Sequence, residues 1–245
     1  MWRVPETVVF LHGFSGTRRA WDRVIAQLDH ERYLPLTPDL PGHGQAADGE
    51  RTITFAGCVE AVLSSSPPRF ALCGYSMGGR VALHVALAAP TRVTRLLLIG
   101  ATAGIEDERE RAERRDSDHL LADALERLPF EDFIERWRTQ PLFAADPPHV
   151  GMLARADQRR NSPHALAAAL RGIGSGEMTP LWSRLGELTM PVTLLNGERD
   201  SKFIDIGRRM AEMLPNARAI VVAGGHGLPL ENPDAVVAAL DERQG

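Results

Sequence analysis

A chain of 245 residues, 44% apolar and 24% charged, is long enough for one globular domain with a sizeable core. Its formal net charge of −4 offers no electrostatic case for binding nucleic acid or an anionic membrane. No apolar run reaches the ~20 residues that span a bilayer, and MWRVPETVVFLHG lacks the pattern of a secretory leader. Cys58 and Cys73, the only cysteines, lie in apolar contexts and supply no disulfide framework, so a soluble cytoplasmic protein is expected. Lys202 is the only lysine; every other basic residue, histidine aside, is arginine.

Taken in chain order, TVVFLHG (7–13) reads as a buried strand, and Trp21, Ile25 and Leu28 space a helix over 18–29. The proline-rich YLPLTPD (33–39) suits a strand near a sheet edge. A helix over 53–63, a strand at RFALCGY (69–75), a helix over 77–89 and a strand at VTRLLLIGA (93–101) follow. From 105 to 187 the chain is dense in charge, with helical periods at 109–127, 130–138 and 164–171 and no clear strand. The alternation then resumes: MPVTLLNG (190–197), a helix over 202–214, ARAIVVAG (217–224) and a helix over 233–240. Alternating strands and helices imply an α/β fold with a mostly parallel sheet covered on both faces. Residues 1–104 and 188–245 are expected to form the core, with 105–187 inserted as a helical cap.

Gly74-Tyr75-Ser76-Met77-Gly78 fits G-x-S-x-G where a predicted strand meets a predicted helix. In that setting a tight turn lifts the serine hydroxyl above the sheet. A serine needs a base to take its proton. Asp200 and His226 follow the next two predicted strands, at the carboxyl ends where open α/β sheets place their sites. Asp200 would orient the imidazole and His226 would accept the serine proton. The backbone N–H groups of Met77, at a helix start, and of Phe14, in the LHGFSG loop, are the expected oxyanion donors. Without an H-E-x-x-H, a Walker loop or a dinucleotide fingerprint in context, no metal or organic cofactor is expected.

With these residues the chain resembles the α/β-hydrolase fold family over essentially its whole length, and PDLPGHG (38–44) matches that family's loop after its next strand. There is little room before residue 7 for the family's usual pair of N-terminal strands, so a shortened sheet of six or seven strands is expected. Arg80 follows Ser76 by one helical turn; it reads either as a salt-bridged helix residue or as an anion anchor beneath the serine. FLHGFSG, GYSMGGRVAL, ERRDSDHLLA, FIERWRTQPLFA, LRGIGSG and GERDSKF together resemble the menaquinone-pathway 2-succinyl-6-hydroxy-2,4-cyclohexadiene-1-carboxylate synthases. That resemblance implies functional positions at Tyr75, Ser76, Arg80, Arg114, Trp137, Asp200 and His226. It also implies a lyase that eliminates pyruvate from a polycarboxylate substrate, with Arg80 and Arg114 binding carboxylates.

The family's further cap arginine falls opposite Gln158, which makes the adjacent Arg159 the expected replacement; the GLP after His226 is a second departure. An esterase or carbon–carbon hydrolase would use the same triad, and a noncatalytic small-ligand sensor could retain it.

Overall fold

Six of the apolar runs form strands, and every pairing is parallel. The computed structural model describes residues 4–47 and 52–242. The strands are β1 (Glu6–Leu11), β2 (Tyr33–Leu36), β3 (Phe70–Tyr75), β4 (Val93–Ile99), β5 (Val192–Gly197) and β6 (Ala217–Val222), in the spatial order β2-β1-β3-β4-β5-β6. The helices are α1 (Asp22–Ile25), α2 (Phe55–Ser65), α3 (Met77–Ala88), α4 (Glu108–Arg127), α5 (Phe130–Arg138), α6 (Pro148–Gln158), α7 (Pro163–Ile173), α8 (Ser201–Met213), α9 (Leu228–Glu231) and α10 (Pro233–Asp241).

The strands alternate between two cores because successive side chains point to opposite faces. Val9, Leu11, Leu72, Leu98 and Leu194 pack with α2, α3 and α8. Val8, Phe10, Cys73, Ile99 and Leu195 meet Trp21, Val24, Val236 and Leu240 on the other face. Both faces are covered, which is why these strands read as continuous apolar runs. Burial pushes the Cys58 thiol up to about 12 and raises Cys73 as well, so both remain protonated packing residues.

β2 is an edge strand, paired only with β1, so Pro35 costs no interior ladder bond. The helix expected over 18–29 is only a 3-10 turn, Arg18–Trp21, followed by the single turn α1. Its apolar residues satisfy the second core without the length of a regular helix. Helix α6 escaped the sequence pattern: its buried positions include the polar Asp157 and Gln158 beside Val150 and Ala154, which blurs the apolar period. No described helix is long and apolar enough to cross a membrane.

Register fixes where the site can be. Leu11 lies opposite Gly74, Tyr75 opposite Ile99, Ile99 opposite Leu195, and Gly197 opposite Val222. The carboxyl ends of five adjacent strands are therefore nearly level. The loops that leave them carry Phe14, Ser76, Gly100, Asp200 and His226. Between β4 and β5, helices α4, α5 and α7 form a third apolar cluster around Phe133, Ile134, Leu166 and Leu170, against which Phe14 and Trp137 pack.

Candidate active site

Ser76 sits between β3 and α3 with φ 52° and ψ −111°, a left-handed conformation that costs a non-glycine residue on the order of 1–3 kcal/mol. The turn is held by the Ser76 N–H, which donates to the Ile99 carbonyl at 2.8 Å, and by the Ser76 carbonyl, which accepts from Arg80 N–H at 3.1 Å. Space is the second constraint. A Cβ at Gly74 would lie 2.5 Å from the Gly78 carbonyl oxygen, and one at Gly78 would overlap the Leu11 carbonyl.

Three side chains from three strand ends form one hydrogen-bonded chain. Ser76 Oγ is 3.0 Å from His226 Nε2, and His226 Nδ1 is 2.6 Å from Asp200 Oδ2. Asp200 and His226 are almost wholly buried. The short carboxylate contact assigns the proton to Nδ1, leaving Nε2 with a lone pair toward the serine. Gly100, at φ 53°, lets the backbone lie under the imidazole, where a Cβ would come within 2.8 Å of Cε1. Phe203, Tyr75 and Phe143 surround the ring at centroid distances of 4.7, 5.4 and 6.0 Å.

A cavity of about 460 Å³ opens over Ser76, and both Phe14 and Met77 line it. Neither of their N–H groups donates to a protein acceptor among the described residues. Met77 is the first residue of α3, where a free N–H and the helix dipole both favour negative charge. The loop bearing Phe14 comes close because Gly13 has no side chain; a Cβ there would lie 2.8 Å from Tyr75 Cε1.

That loop is held from α6. The Asp157 carboxylate accepts from Thr17 N–H at 2.8 Å and from the Thr17 hydroxyl at 2.5 Å. Gln158 Nε2 donates to Ser15 Oγ at 2.9 Å, and Asn161 Nδ2 donates to the Ser15 carbonyl at 2.8 Å. Ser15 is itself left-handed, with φ 61°, so Asp157, Gln158 and Asn161 fix a strained loop. Burial raises the Asp157 carboxyl, while the two Thr17 hydrogen bonds oppose that shift. Sequence reasoning missed these residues because their partners lie about 140 positions away, and no local pattern links them.

Arg80 also lines the cavity and is only 7% exposed. Its Nη1 donates to the Ile173 carbonyl at 2.7 Å, at the carboxyl end of α7. No carboxylate lies within ion-pair distance of its guanidinium among the described residues. Burial lowers Arg80 to about 10, with the nearby Arg114 adding to the shift, so it stays charged at neutral pH. Arg114 lines the same wall, but its Nε donates to Asp118 at 2.8 Å. Trp137 lies 5.0 Å from Phe14 and 5.9 Å from Phe143, joining the Phe14 loop to the wall beside His226. Burial raises the Tyr75 phenol, keeping it neutral in the cavity wall.

The structure does not bring Arg159 to this cavity. Its guanidinium forms two exposed 2.8 Å hydrogen bonds with Glu131 of α5. It follows the end of α6, and the one-residue step from Gln158 turns it away from the loop. The GLP departure after His226 has a structural role: Leu228 is fully buried in the second core and Pro229 stands in the first turn of the short α9. A buried Arg138–Asp146 ion pair, also missed from sequence, lies beside Tyr75 and the Gly225–Gly227 backbone.

Two imidazoles lie under the same loop. His12 Nε2 accepts from Leu40 N–H at 3.0 Å and its Nδ1 lies 2.9 Å from the Gly13 carbonyl, the pattern of a neutral ring. His43 packs 5.0 Å from it, with Nε2 buried and unpartnered. Burial lowers His12 and, with His12 adding, takes His43 to about 3. The unfolded chain then binds the His43 proton below about pH 6.5 while the folded one does not, so stability falls as pH drops toward 3. Urea unfolding should show about 2 kcal/mol less stability at pH 5 than at pH 7 from this residue. In His43→Gln that share of the pH slope disappears; an unchanged slope would show that His43 is not buried neutral.

A second cavity of about 340 Å³ lies at the amino ends of the strands, around Tyr33, Thr94 and Arg95. There the Glu6 carboxylate accepts from the Thr94 hydroxyl at 2.7 Å and from Arg95 at 2.8 Å, and none of the three triad residues lines it. No group of three or more His, Cys, Asp or Glu side chains is placed to hold a metal among the described residues.

A parallel sheet that presents Ser76, Asp200 and His226 in this order and geometry defines an α/β hydrolase fold. The family model described as "Alpha/beta hydrolase family" matches residues 8–239, and the chain belongs to that family. It is 35% identical over 240 residues to the 2-succinyl-6-hydroxy-2,4-cyclohexadiene-1-carboxylate synthase of Enterobacter sp. (strain 638), covering 95% of this chain and 89% of that protein. The synthase of the same name from Salmonella agona (strain SL483) is 34% identical over 241 residues, 96% of this chain and 92% of its own. The solved structure of MenH from S. aureus superposes with a TM-score of 0.90 at 32% identity, covering 97% of this chain and 92% of that one. A hydrolase from Pseudomonas aeruginosa PA01, with a TM-score of 0.79 and 23% identity over 96% of this chain and 88% of its own, shares the fold.

Proposed function

We propose that this protein is a carbon–oxygen lyase of menaquinone biosynthesis. It releases pyruvate from 2-succinyl-5-enolpyruvyl-6-hydroxy-3-cyclohexene-1-carboxylate and leaves 2-succinyl-6-hydroxy-2,4-cyclohexadiene-1-carboxylate. The observation that carries this reading is the buried Arg80 guanidinium, without a carboxylate partner, one helical turn beyond the triad serine. The names of the relatives at 34–35% identity support it. Residues 105–187 act as a cap that supplies Arg114 and Trp137 to the substrate, and the enzyme works in the cytoplasm on a small polycarboxylate.

The reaction begins at the ring carbon beside the succinyl ketone. Ser76, deprotonated through His226, removes that carbon's proton, and Asp200 balances the imidazolium charge. The ketone oxygen gains negative charge, which the Phe14 and Met77 N–H groups receive. The electron pair then moves through the ring double bond, forms the conjugated diene and breaks the ether bond to the leaving group. The departing enolate of pyruvate takes up a proton, so atoms balance without consuming water. Parts suited to acyl transfer thus serve an elimination.

The test is turnover of the enolpyruvyl substrate, following pyruvate and diene, beside a panel of small neutral esters. Rapid pyruvate release with negligible ester cleavage supports the lyase. Ser76-dependent ester cleavage with no pyruvate release would replace it with a hydrolase, and binding without turnover in either assay would favour a sensor.

A further inference from the structure

The charges around the cavity are unequal in a way the triad does not explain. Four cations line it, Arg80, Arg114, Arg199 and Lys202, against one carboxylate, Asp200, which is committed to His226. Two of the cations are already neutralised: Arg114 by Asp118 at 2.8 Å, and Arg199 by Glu231. Arg80 and Lys202 have no ion-pair partner among the described residues. The carboxylates next to Lys202 in sequence are engaged elsewhere, with Glu198 3.9 Å from Arg199 and Asp205 3.6 Å from Arg208.

The two unpaired cations stand on different walls. Arg80 enters from α3, behind Ser76 and against the end of α7. Lys202 enters from the first turn of α8, two residues after Asp200. Ser76 and Asp200 line the same cavity as both cations. A single anion would need one such charge, whereas a molecule carrying two separated carboxylates would engage both. The side-chain types also differ. Buried Arg80 offers a planar fork, whereas exposed Lys202 is a flexible point charge that can reach a carboxylate at the cavity mouth.

We infer that Lys202 is a further carboxylate-binding residue, which together with Arg80 makes the cavity prefer substrates carrying at least two carboxylates. This rests on the lyase reading for the identity of the substrate, while the two-cation geometry stands independently of it. The lone lysine in an arginine-rich chain is then a functional residue and not a compositional remnant.

The absence of other lysines makes the test direct. Reductive methylation with ¹³C-formaldehyde gives one lysine dimethylamino resonance, separate from that of the chain's α-amino group. The probes are 4-oxo-4-phenylbutanoate, a monocarboxylate, and the same molecule with a second carboxylate ortho to the ketone. The dicarboxylate is expected to shift the Lys202 resonance and to bind at least tenfold more tightly than the monocarboxylate. In Lys202→Gln that preference should shrink to within twofold, while Lys202→Arg retains it. With the enolpyruvyl substrate, Lys202→Gln should raise KM about tenfold and leave kcat within twofold. An unmoved resonance, or an unchanged dicarboxylate preference in Lys202→Gln, overturns the inference even if pyruvate is released. A shifted resonance without pyruvate release keeps the anion site and rejects the lyase.

Discussion

Replacing Ser76 with alanine should lower kcat for pyruvate release by about 10³–10⁴-fold while changing KM less than threefold, because the hydroxyl acts on the proton in flight and not on bound substrate. Ser76, His226 and Asp200 form one hydrogen-bonded chain, so their contributions should not add. His226→Ala should approach the Ser76→Ala loss, and the double variant should be little slower than either single one. Residual turnover in all three would come from the Phe14 and Met77 N–H groups and from substrate binding. Stability gives an independent readout. Alanine at position 76 keeps the positive φ strain and removes a half-buried hydroxyl with one hydrogen bond, to His226, so the unfolding free energy should move by no more than about 1 kcal/mol. Single variants whose losses multiplied in the double variant would show that serine and histidine act separately, and would sink the relay.

The second large effect is expected at Arg80. Arg80→Met preserves much of the side-chain volume but removes the charge, and kcat/KM should fall by about 10²–10³-fold, the equivalent of losing a desolvated charge pair worth roughly 3–4 kcal/mol. Fold stability should respond in the opposite spirit. An arginine that is 7% exposed, with one carbonyl contact and no carboxylate partner, carries a desolvation cost. Its replacement loses the bond to the Ile173 carbonyl, worth about 1 kcal/mol, and relieves that cost. The unfolding free energy should therefore stay within about 2 kcal/mol of the parent. Arg80→Lys should recover only part of the activity, because a point charge cannot supply two parallel hydrogen bonds. A folded Arg80→Met protein with kcat/KM within threefold of the parent would reduce Arg80 to a cap on α7.

The family, the parallel sheet and the serine turn were legible because each depends on neighbours in sequence. Apolar runs bounded by turn residues mark strands that are covered on both faces, and Gly74 and Gly78 flank Ser76 because any Cβ there meets backbone. Pro35 marked an edge for an equally local reason, its missing N–H. The order of Ser76, Asp200 and His226 could be read as well, since a level parallel sheet delivers successive strand ends to one place.

Proximity across the cap could not be read that way. Arg159 and Gln158 are adjacent in sequence, yet one faces Glu131 outside and the other holds Ser15 beneath the site, a difference made by one step of helical rotation. Asp157, Asn161 and the Arg138–Asp146 pair became visible only when α5 and α6 were packed against the loops they hold. The sequence by itself determined the sheet, the elbow and the chain order of the triad, because backbone sterics and hydrophobic period act over a few residues. Tertiary structure alone decided which cations remain unpaired, because pairing depends on side chains that folding brings together from distant parts of the chain.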